Sequence, residues 1–273
     1  ASAGGRPPVT IDGPRSVTVG GGAFVTVAGP CSVEGEEPFL AAARAVAAAG
    51  AQLLRGGAFK PRSQPASFQG LGTQGLEILA AAREDTGLGI VTEATDPRQV
   101  EAVTDVADMI QVGARSMRNT PLLTEIGRTT KPVLLKRAMD ATVSEWLCAA
   151  DFVLSGGNER VILCERGVVS FDDGRRNCLD LAAVVDAAGK SGMPVVVDPS
   201  HATGRAHLVG PMALAAAACG AAGVLIEVHP SPDKALSDAQ QAILPSDLTA
   251  LIPRLEAVFD AARETQSNPA VTA

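Results

Sequence analysis

Four side chains in this 273-residue sequence carry the donor types of a transition-metal site: Cys31, His201, Glu227 and Asp238. Each stands at or just after the expected end of a short apolar run. The clearest run is Val195-Val196-Val197, which stops abruptly at Asp198-Pro199-Ser200-His201. A β-branched run that ends in polar, turn-forming residues reads as a buried parallel strand delivering functional groups at its carboxyl end. One thiolate, one imidazole and two carboxylates form a donor set of borderline softness. It suits Mn²⁺, Fe²⁺, Co²⁺ or Zn²⁺, whereas Mg²⁺ prefers oxygen alone. The four share no local spacing. Each also has a plain structural alternative: a small buried thiol, a hydrogen-bonded histidine, two ion-paired carboxylates.

A second group is cationic. Arg55, Lys60, Arg62, Arg115, Lys136, Arg137 and Arg166 gather at expected strand ends, although the chain as a whole has a net charge of −7. An acidic protein that concentrates cations at one rim is built to bind a small anion there. In Arg55-Gly-Gly-Ala-Phe-Lys60-Pro-Arg62-Ser63, glycine lets backbone approach a phosphate and arginine offers a bidentate fork. A solvated basic loop is the alternative. Arg115, Lys136 and Arg166 close three successive strand units, and turning them toward one another without an anion is costly. A ligand carrying both carboxylate and phosphate resolves that cost.

The elements that must position these residues alternate regularly from Phe24 onward. The expected strands end near Ala28, Leu54, Thr92, Val112, Leu135, Cys164, Val197 and Ile226. The expected helices are 36–49, 74–85, 97–106, 121–126, 143–155, 178–188, 208–219 and 248–262. Asp96 and Thr142 are N-caps, and Gly50, Gly156, Gly189, Gly192 and Gly220 are stops. Eight strand–helix units in about 250 residues predict an α/β fold, a (β/α)₈ TIM barrel with its chemistry at the strand carboxyl ends. An open doubly wound sheet is the runner-up. Residues 1–22 form a leader in which Ser16–Val19 pairs with Ala23–Val27 as a short N-terminal β-hairpin across Gly20-Gly21-Gly22. The barrel takes 23–263, and 264–273 form a flexible tail.

Composition excludes other classes. Aromatics are 3% with no tyrosine, poor material for a nucleic-acid surface. No apolar run is long enough for a membrane span, and the start lacks a signal pattern, so a cytoplasmic protein is expected. The five cysteines are unpaired in spacing, which implies reduced thiols. Cys148, Cys164, Cys178 and Cys219 are expected to pack as buried residues. His207 reads as an element-end residue and His229 as a neighbour of Glu227. No G-x-G-x-x-G or Walker-type loop supports a nucleotide cofactor.

Several stretches carry a family resemblance: Gly29-Pro-Cys-Ser-Val-Glu34, Leu54-Arg-Gly-Gly-Ala-Phe-Lys-Pro-Arg62, Ser67-Phe-Gln-Gly-Leu-Gly72, Gln111-Val-Gly-Ala-Arg115, Val133-Leu-Leu-Lys-Arg137, residues 158–167, Asp198-Pro-Ser-His201, and Ile226-Glu-Val-His-Pro230 with Ala235-Leu-Ser-Asp238. In this order, from Phe24 to Phe259, the chain resembles the 3-deoxy-D-arabino-heptulosonate 7-phosphate (DAHP) synthases of the type I β subfamily. Part of the pattern is shared with 3-deoxy-octulosonate 8-phosphate synthase.

The resemblance implies metal-dependent condensation of phosphoenolpyruvate with erythrose 4-phosphate, the entry to the shikimate pathway and aromatic amino acid biosynthesis. By that pattern Cys31, His201, Glu227 and Asp238 hold the divalent metal, and Arg55, Lys60, Arg115, Lys136 and Arg166 cradle phosphoenolpyruvate. Arg62 and Ser63 contact the aldose phosphate, and Pro61-Arg62 favours the four-carbon aldehyde. Lys60 or Glu93 positions a water or moves a proton. Relatives often carry Thr at position 63 and Asn-Met-Gln-Asn where this chain has Ser116-Met-Arg-Asn119, so Arg118 is expected to alter aldehyde choice or a subunit contact. A homo-oligomer, dimer or tetramer, is implied, with a chorismate mutase as a candidate partner. Leader and tail are too short for an effector domain, so insensitivity of the chain alone to aromatic amino acids is expected. A sibling synthase acting on another aldose phosphate, and a silent phosphometabolite-binding barrel, remain alternatives.

Overall fold

The computed structural model describes residues 7–61 and 66–266; Arg62 and Ser63 lie outside the described residues. Strands β1 (Val9–Ile11) and β2 (Val17–Val19) pair antiparallel, Val9 against Val19. The N-terminal hairpin therefore exists, but with different partners from those expected. The Gly20–Gly22 run, all at positive φ, leads from β2 into the next strand through a single Gly20–Ala23 bridge. Residues 25–29 are instead taken by the barrel.

Eight parallel strands follow: β3 (Val25–Gly29), β4 (Leu53–Arg55), β5 (Gly89–Ala94), β6 (Met109–Val112), β7 (Val133–Lys136), β8 (Val161–Glu165), β9 (Val195–Val197) and β10 (Gly223–Glu227). Pairing of β10 with β3, from Gly223↔Val25 to Glu227↔Gly29, closes the sheet. That closure rules out the open doubly wound sheet. Around it lie α1 (Glu36–Ala48), α2 (Thr73–Thr86), α3 (Val100–Val106), α4 (Thr120–Gly127), α5 (Val143–Ser155), α6 (Leu181–Ser191), α8 (Ala206–Ala218) and α9 (Pro245–Gln266). A five-residue helix, α7 (Pro199–Thr203), tops β9.

Capping chemistry sets several of these boundaries. Thr142 and Glu145 form a reciprocal capping box on α5. Asp96 accepts from the Arg98 amide, but the turn it starts is 3₁₀ (Pro97–Gln99) before α3 begins. The helix expected over 178–188 starts later. Cys178 exchanges two backbone hydrogen bonds with Val168, and Asp180 caps α6 by accepting from the Ala183 amide at 3.0 Å. Gly189 lies inside α6, and Gly192, left-handed at φ 68°, ends it.

Strand alternation divides the core into two clusters. Ala28, Leu54, Ile90, Ile110, Leu135, Leu163, Val197 and Ile226 face outward and pack beneath the helices. Val27, Leu53, Val91, Met109, Leu134, Ile162, Cys164, Val196 and Leu225 face inward. The hairpin residues Val9, Ile11, Val17 and Val19 join this inner cluster, and Arg160, just before β8, donates to Asp12 at 2.7 Å. The hairpin is thus an apolar floor across the amino end of the barrel. Among the four cysteines assigned to packing, Cys164 is fully buried, Cys178 and Cys219 are half-buried and Cys148 is exposed. Cys148 falls off the buried stripe of α5, which is Trp146, Ala149, Ala150 and Val153.

Candidate active site

The two-residue period that builds the apolar interior also builds the site. Two residues beyond Leu53 stands Arg55; beyond Val91, Glu93; beyond Met109, Gln111; beyond Leu134, Lys136. The same step leads from Cys164 to Arg166, from Val196 to Asp198 and from Leu225 to Glu227, and two such steps lead from Val27 to Cys31. Each strand therefore turns from apolar to polar at its carboxyl end on the same inward face. Arg137 is one residue out of phase. Its guanidinium points outward to Glu165 and Asp180, each at 3.0 Å, so it does not belong to the rim of cations in which the sequence placed it.

Cys31, His201, Glu227 and Asp238 converge, with one donor atom from each lying within 4.8 Å of the others. Cys31 Sγ stands 3.1 Å from Asp238 Oδ2 and 3.7 Å from His201 Nε2, and His201 Nε2 stands 3.5 Å from Glu227 Oε2. Four donors at bond lengths of about 2.0–2.3 Å from one ion would be separated by distances of this order, so the set fits a divalent ion. His201 is delivered by α7. Asp198 is the N-cap of that turn, accepting from the His201 amide at 2.9 Å, and Pro199 occupies its first position. Asp198 Oδ2 also lies 2.8 Å from His201 Nδ1, which turns Nε2 toward the cluster. Glu227 is held by Gln241, which donates to Oε2 at 2.7 Å, while its own amide donates to Ser200 Oγ at 2.9 Å. Asp238 is the one described non-glycine residue at positive φ, 53°, which aims its carboxylate inward.

The electrostatics match a site that needs a cation. Burial, then neighbouring Glu227, push the Cys31 thiol up, and burial pushes Glu227 up to about 7. Burial also drives His201 down, keeping its imidazole neutral and able to ligate. Asp198 behaves oppositely. Burial works against its charge, but His201 and Lys136 hold it well below the usual carboxylate range.

The cations line the same cleft. Lys136 Nζ donates to Asp198 at 2.5 Å. Lys60 Nζ donates to Cys31 Sγ at 2.9 Å and to its carbonyl at 3.0 Å. Arg55 is 3% exposed and its Nη1 has no hydrogen-bond partner, the nearest carboxylate oxygen being Glu227 Oε2 at 3.9 Å. A buried guanidinium with one nitrogen unpaired beside a cleft is a strong anion receptor. Arg166 donates to the His201 carbonyl at 3.0 Å and, with the Asn177 amide oriented to suit its neighbours, to Asn177 at 2.9 Å. Arg115 stands exposed at the rim and donates to the Pro61 carbonyl at 3.3 Å. Glu93 is buried, held by Gln111 Nε2 at 3.1 Å.

Sequence reasoning assigned no role to Asp198, Gln111, Gln241 or Arg176. Strand phase would have found the first two; the others sit on irregular loops. Arg118 is a surface residue paired with Asp140 at 2.8 Å and Glu145 at 3.5 Å. His229 accepts from the Ser231 amide at 3.0 Å, within its own loop, and His207 is exposed in the first turn of α8. No helix among the described residues is long and apolar enough to cross a membrane.

Known proteins resemble this chain over most of its length. The phospho-2-dehydro-3-deoxyheptonate aldolase of Thermotoga maritima is 46% identical over 238 residues, 87% of this chain and 70% of that protein. A crystal structure of the Thermotoga maritima DAHP synthase superposes with a TM-score of 0.88 at 44% identity, over 93% of this chain and 74% of that one. A 2-dehydro-3-deoxyphosphooctonate aldolase of Magnetococcus marinus is 32% identical over 269 residues, 90% of this chain and 93% of that protein. The family model for the DAHP synthetase I family matches residues 8–263, and the chain belongs to that family.

Proposed function

We propose that this cleft condenses phosphoenolpyruvate with erythrose 4-phosphate, giving DAHP and inorganic phosphate, the first step of the shikimate pathway. The observation that carries the reading is the direct juxtaposition of two constellations at one cleft. The cations Arg55, Lys60, Lys136 and Arg166 stand beside the donors Cys31, His201, Glu227 and Asp238, with Lys60 2.9 Å from Cys31 Sγ and Arg55 3.9 Å from Glu227. The first set suits the carboxylate and phosphate of phosphoenolpyruvate, with Arg115 closing over them from the rim. Arg62 and Ser63 are the proposed contacts of the aldose phosphate.

A divalent ion on the four donors, Mn²⁺, Co²⁺, Fe²⁺ or Zn²⁺, supplies Lewis-acid polarisation of the aldehyde carbonyl. The chain's own groups do the rest. The cations hold two anions together in a geometry their mutual repulsion opposes in water. C3 of phosphoenolpyruvate forms the new bond to the aldehyde carbon, and positive charge develops at C2. Glu93, fixed by Gln111, accepts a proton from the water that adds to C2. The C2 hydroxyl then collapses to the carbonyl as the C2–O bond to phosphate breaks, and the phosphate departs with the hydroxyl proton, its charge met by Arg166 and Lys136. Lys60, 2.9 Å from Cys31 Sγ, is placed to give a proton to the oxygen formed from the aldehyde.

The 32% identity to an octonate aldolase keeps a second aldose in view. The higher identity to the heptonate enzyme, and Pro61 in the loop beside the cleft, favour the four-carbon aldehyde. By the same family pattern we propose a cytoplasmic homo-oligomer, dimer or tetramer, with a chorismate mutase as its regulatory partner. The test of function is phosphate release by the Mn²⁺-loaded protein from phosphoenolpyruvate with a panel of aldose phosphates. Selective release with erythrose 4-phosphate is expected. Release with a five-carbon aldose phosphate alone would favour the sibling activity, and no release with any would leave a binding protein.

A further inference from the structure

Two residues outside the cation and metal sets tie both of the carboxylate donors together. Arg176 Nη1 donates to Asp238 Oδ1 at 3.2 Å and to Gln241 Oε1 at 3.0 Å. Gln241 in turn donates from Nε2 to Glu227 Oε2 at 2.7 Å. One guanidinium nitrogen thus reaches Asp238 directly and Glu227 through a single amide. Both contacts use the oxygens in a specific way. Asp238 gives Oδ1 to Arg176 and keeps Oδ2, the atom 3.1 Å from Cys31 Sγ, for the cluster.

The local backbone is built to hold this arrangement. Asp238 and Gln241 are the two ends of one turn, with the Gln241 amide donating to the Asp238 carbonyl at 3.1 Å and Asp238 in the left-handed region. On the other side, the Arg176 amide donates to the Thr203 carbonyl at 3.2 Å, and the Asn177 amide to the Ala202 carbonyl at 2.8 Å, so the segment is laced to α7. Two left-handed glycines make room for it. A Cβ at Gly204 would meet Arg176 Cβ at 2.8 Å, and one at Gly167 would meet Asn177 Cβ at 2.8 Å. Gln241 is 2% exposed and has no other side-chain partner for its amide among the described residues.

Stability alone does not account for the clamp. The Arg176 and Asp238 side chains are 36% and 22% exposed, and ion pairs that open to water contribute little to folding. The value of the contact lies in orientation. Without it, Asp238 can rotate about its side-chain torsions and Glu227 loses the amide that fixes Oε2. Ligands whose outer partners are removed typically bind a metal 10–100-fold more weakly.

We propose that Arg176 and Gln241 are positioning residues that preorganise Asp238 and Glu227 for the divalent ion. The proposal rests on the metal reading of the Cys31, His201, Glu227 and Asp238 cluster. Arg176 borders the cleft, but its Nη1 is engaged by Asp238 Oδ1 and Gln241 Oε1, so it acts through the carboxylates.

The test is Mn²⁺ affinity of the full chain without substrates, read as free Mn²⁺ by electron paramagnetic resonance, together with the thiolate-to-Co²⁺ absorption of the cobalt-loaded protein. Wild type is compared with Arg176→Gln, Arg176→Lys and Gln241→Met. Arg176→Gln and Gln241→Met are expected to weaken Mn²⁺ binding 10-fold or more and to perturb the cobalt spectrum, with Arg176→Lys recovering part of the loss. Once Mn²⁺ is saturating, KM for phosphoenolpyruvate should stay within about threefold of wild type, because neither residue belongs to the cradle. Should Arg176→Gln fail to fold, the near-isosteric Gln241→Met carries the same test. Unchanged Mn²⁺ affinity in the folded variants, or a raised KM for phosphoenolpyruvate at full metal loading, would overturn the proposal and make Arg176 a substrate contact. Failure of wild type itself to bind Mn²⁺ or Co²⁺ would instead bring down the metal reading on which it rests.

Discussion

The Asp198 carboxylate meets the His201 ring at 2.8 Å, Oδ2 to Nδ1, and the same oxygen takes the Lys136 ammonium at 2.5 Å. One buried charge therefore sets the direction of the imidazole in the four-donor cluster and balances the Lys136 ammonium among the cations of the cleft. The two halves of the site share an anchor.

Asp198→Asn should accordingly damage both halves. It leaves Lys136 buried without a counter-charge, a defect of roughly 3–5 kcal/mol in folding stability. It also removes the carboxylate that orients His201, so Mn²⁺ binding should weaken by about 10-fold or more. Urea unfolding and Mn²⁺ titration check the two effects separately. Loss of only one of them would mean that the anchor is not shared.

Gly113 tests the position of Glu93. Its φ of −69° is ordinary, so alanine brings no backbone strain there. A Cβ would, however, lie 2.0 Å from Glu93 Oε1. Gly113→Ala should displace that carboxylate and lower kcat by about 100-fold, the scale of an ångström-level misplacement. Melting temperature should fall only modestly. Steady-state kinetics and a thermal melt check this, and an unaffected kcat would remove Glu93 from the proton-transfer role.

Metal removal should abolish turnover, and Mn²⁺ or Co²⁺ should restore it. Cys31 is the softest of the four donors, so Cys31→Ala should lose affinity for Co²⁺ steeply. Activity of a rigorously metal-free sample, verified by elemental analysis, would contradict the assignment.

The two substrate ends should separate by mutation. Arg115→Ala should chiefly raise KM for phosphoenolpyruvate, and Arg62→Ala chiefly that for erythrose 4-phosphate. On the assignment proposed above, each would remove a charge-assisted contact worth about 1.5–3 kcal/mol. Initial-rate grids over both substrates check the division, and equal losses for both substrates in both variants would refute it.

The outward pair of Arg137 and Glu165 gives a pH signature. Burial raises Glu165 above its ordinary value of 4.5, against the opposing effect of Arg137. The folded state then keeps this proton after the unfolded chain has lost it. Wild-type stability attributable to Glu165 therefore falls as pH rises through the window above 4.5, and levels off once the folded group is ionised. Glu165→Gln, neutral at every pH, should gain on wild type across that window. Urea melts of both proteins from pH 4 to pH 8 check the sign, and a difference that shrinks with rising pH would contradict it.

The barrel was legible because eight apolar runs alternate with capped helices, and the donor residues because they follow those runs. What failed was phase. Lys136 and Arg137 are adjacent cations at one strand end, and their different fates depend on which of them shares the face of Leu134. Applying the two-residue period from the apolar floor upward would have separated them, and would have picked out Gln111 and Asp198. The later start of α6 follows from a bridge between Val168 and Cys178 that no local signal announces. Helix α7 carried its signals, Asp198 and Pro199, but is only five residues long. Arg176 and Gln241 meet across 65 positions, on loops without periodicity, and only the closed barrel brings them together.

The hairpin floor imposes a traffic rule. With Val9, Ile11, Val17 and Val19 sealing the amino end, everything that enters the barrel must leave through the same mouth. Arg55 and Lys136 are buried one step beyond the inner apolar residues Leu53 and Leu134, whereas Arg115 stands exposed at the rim. A ligand seated on the deep cations is trapped beneath whatever sits above it. On the assignment proposed above, the vessel is loaded like a stack, and a reactant seated on the deep cations has to arrive before one held at the rim.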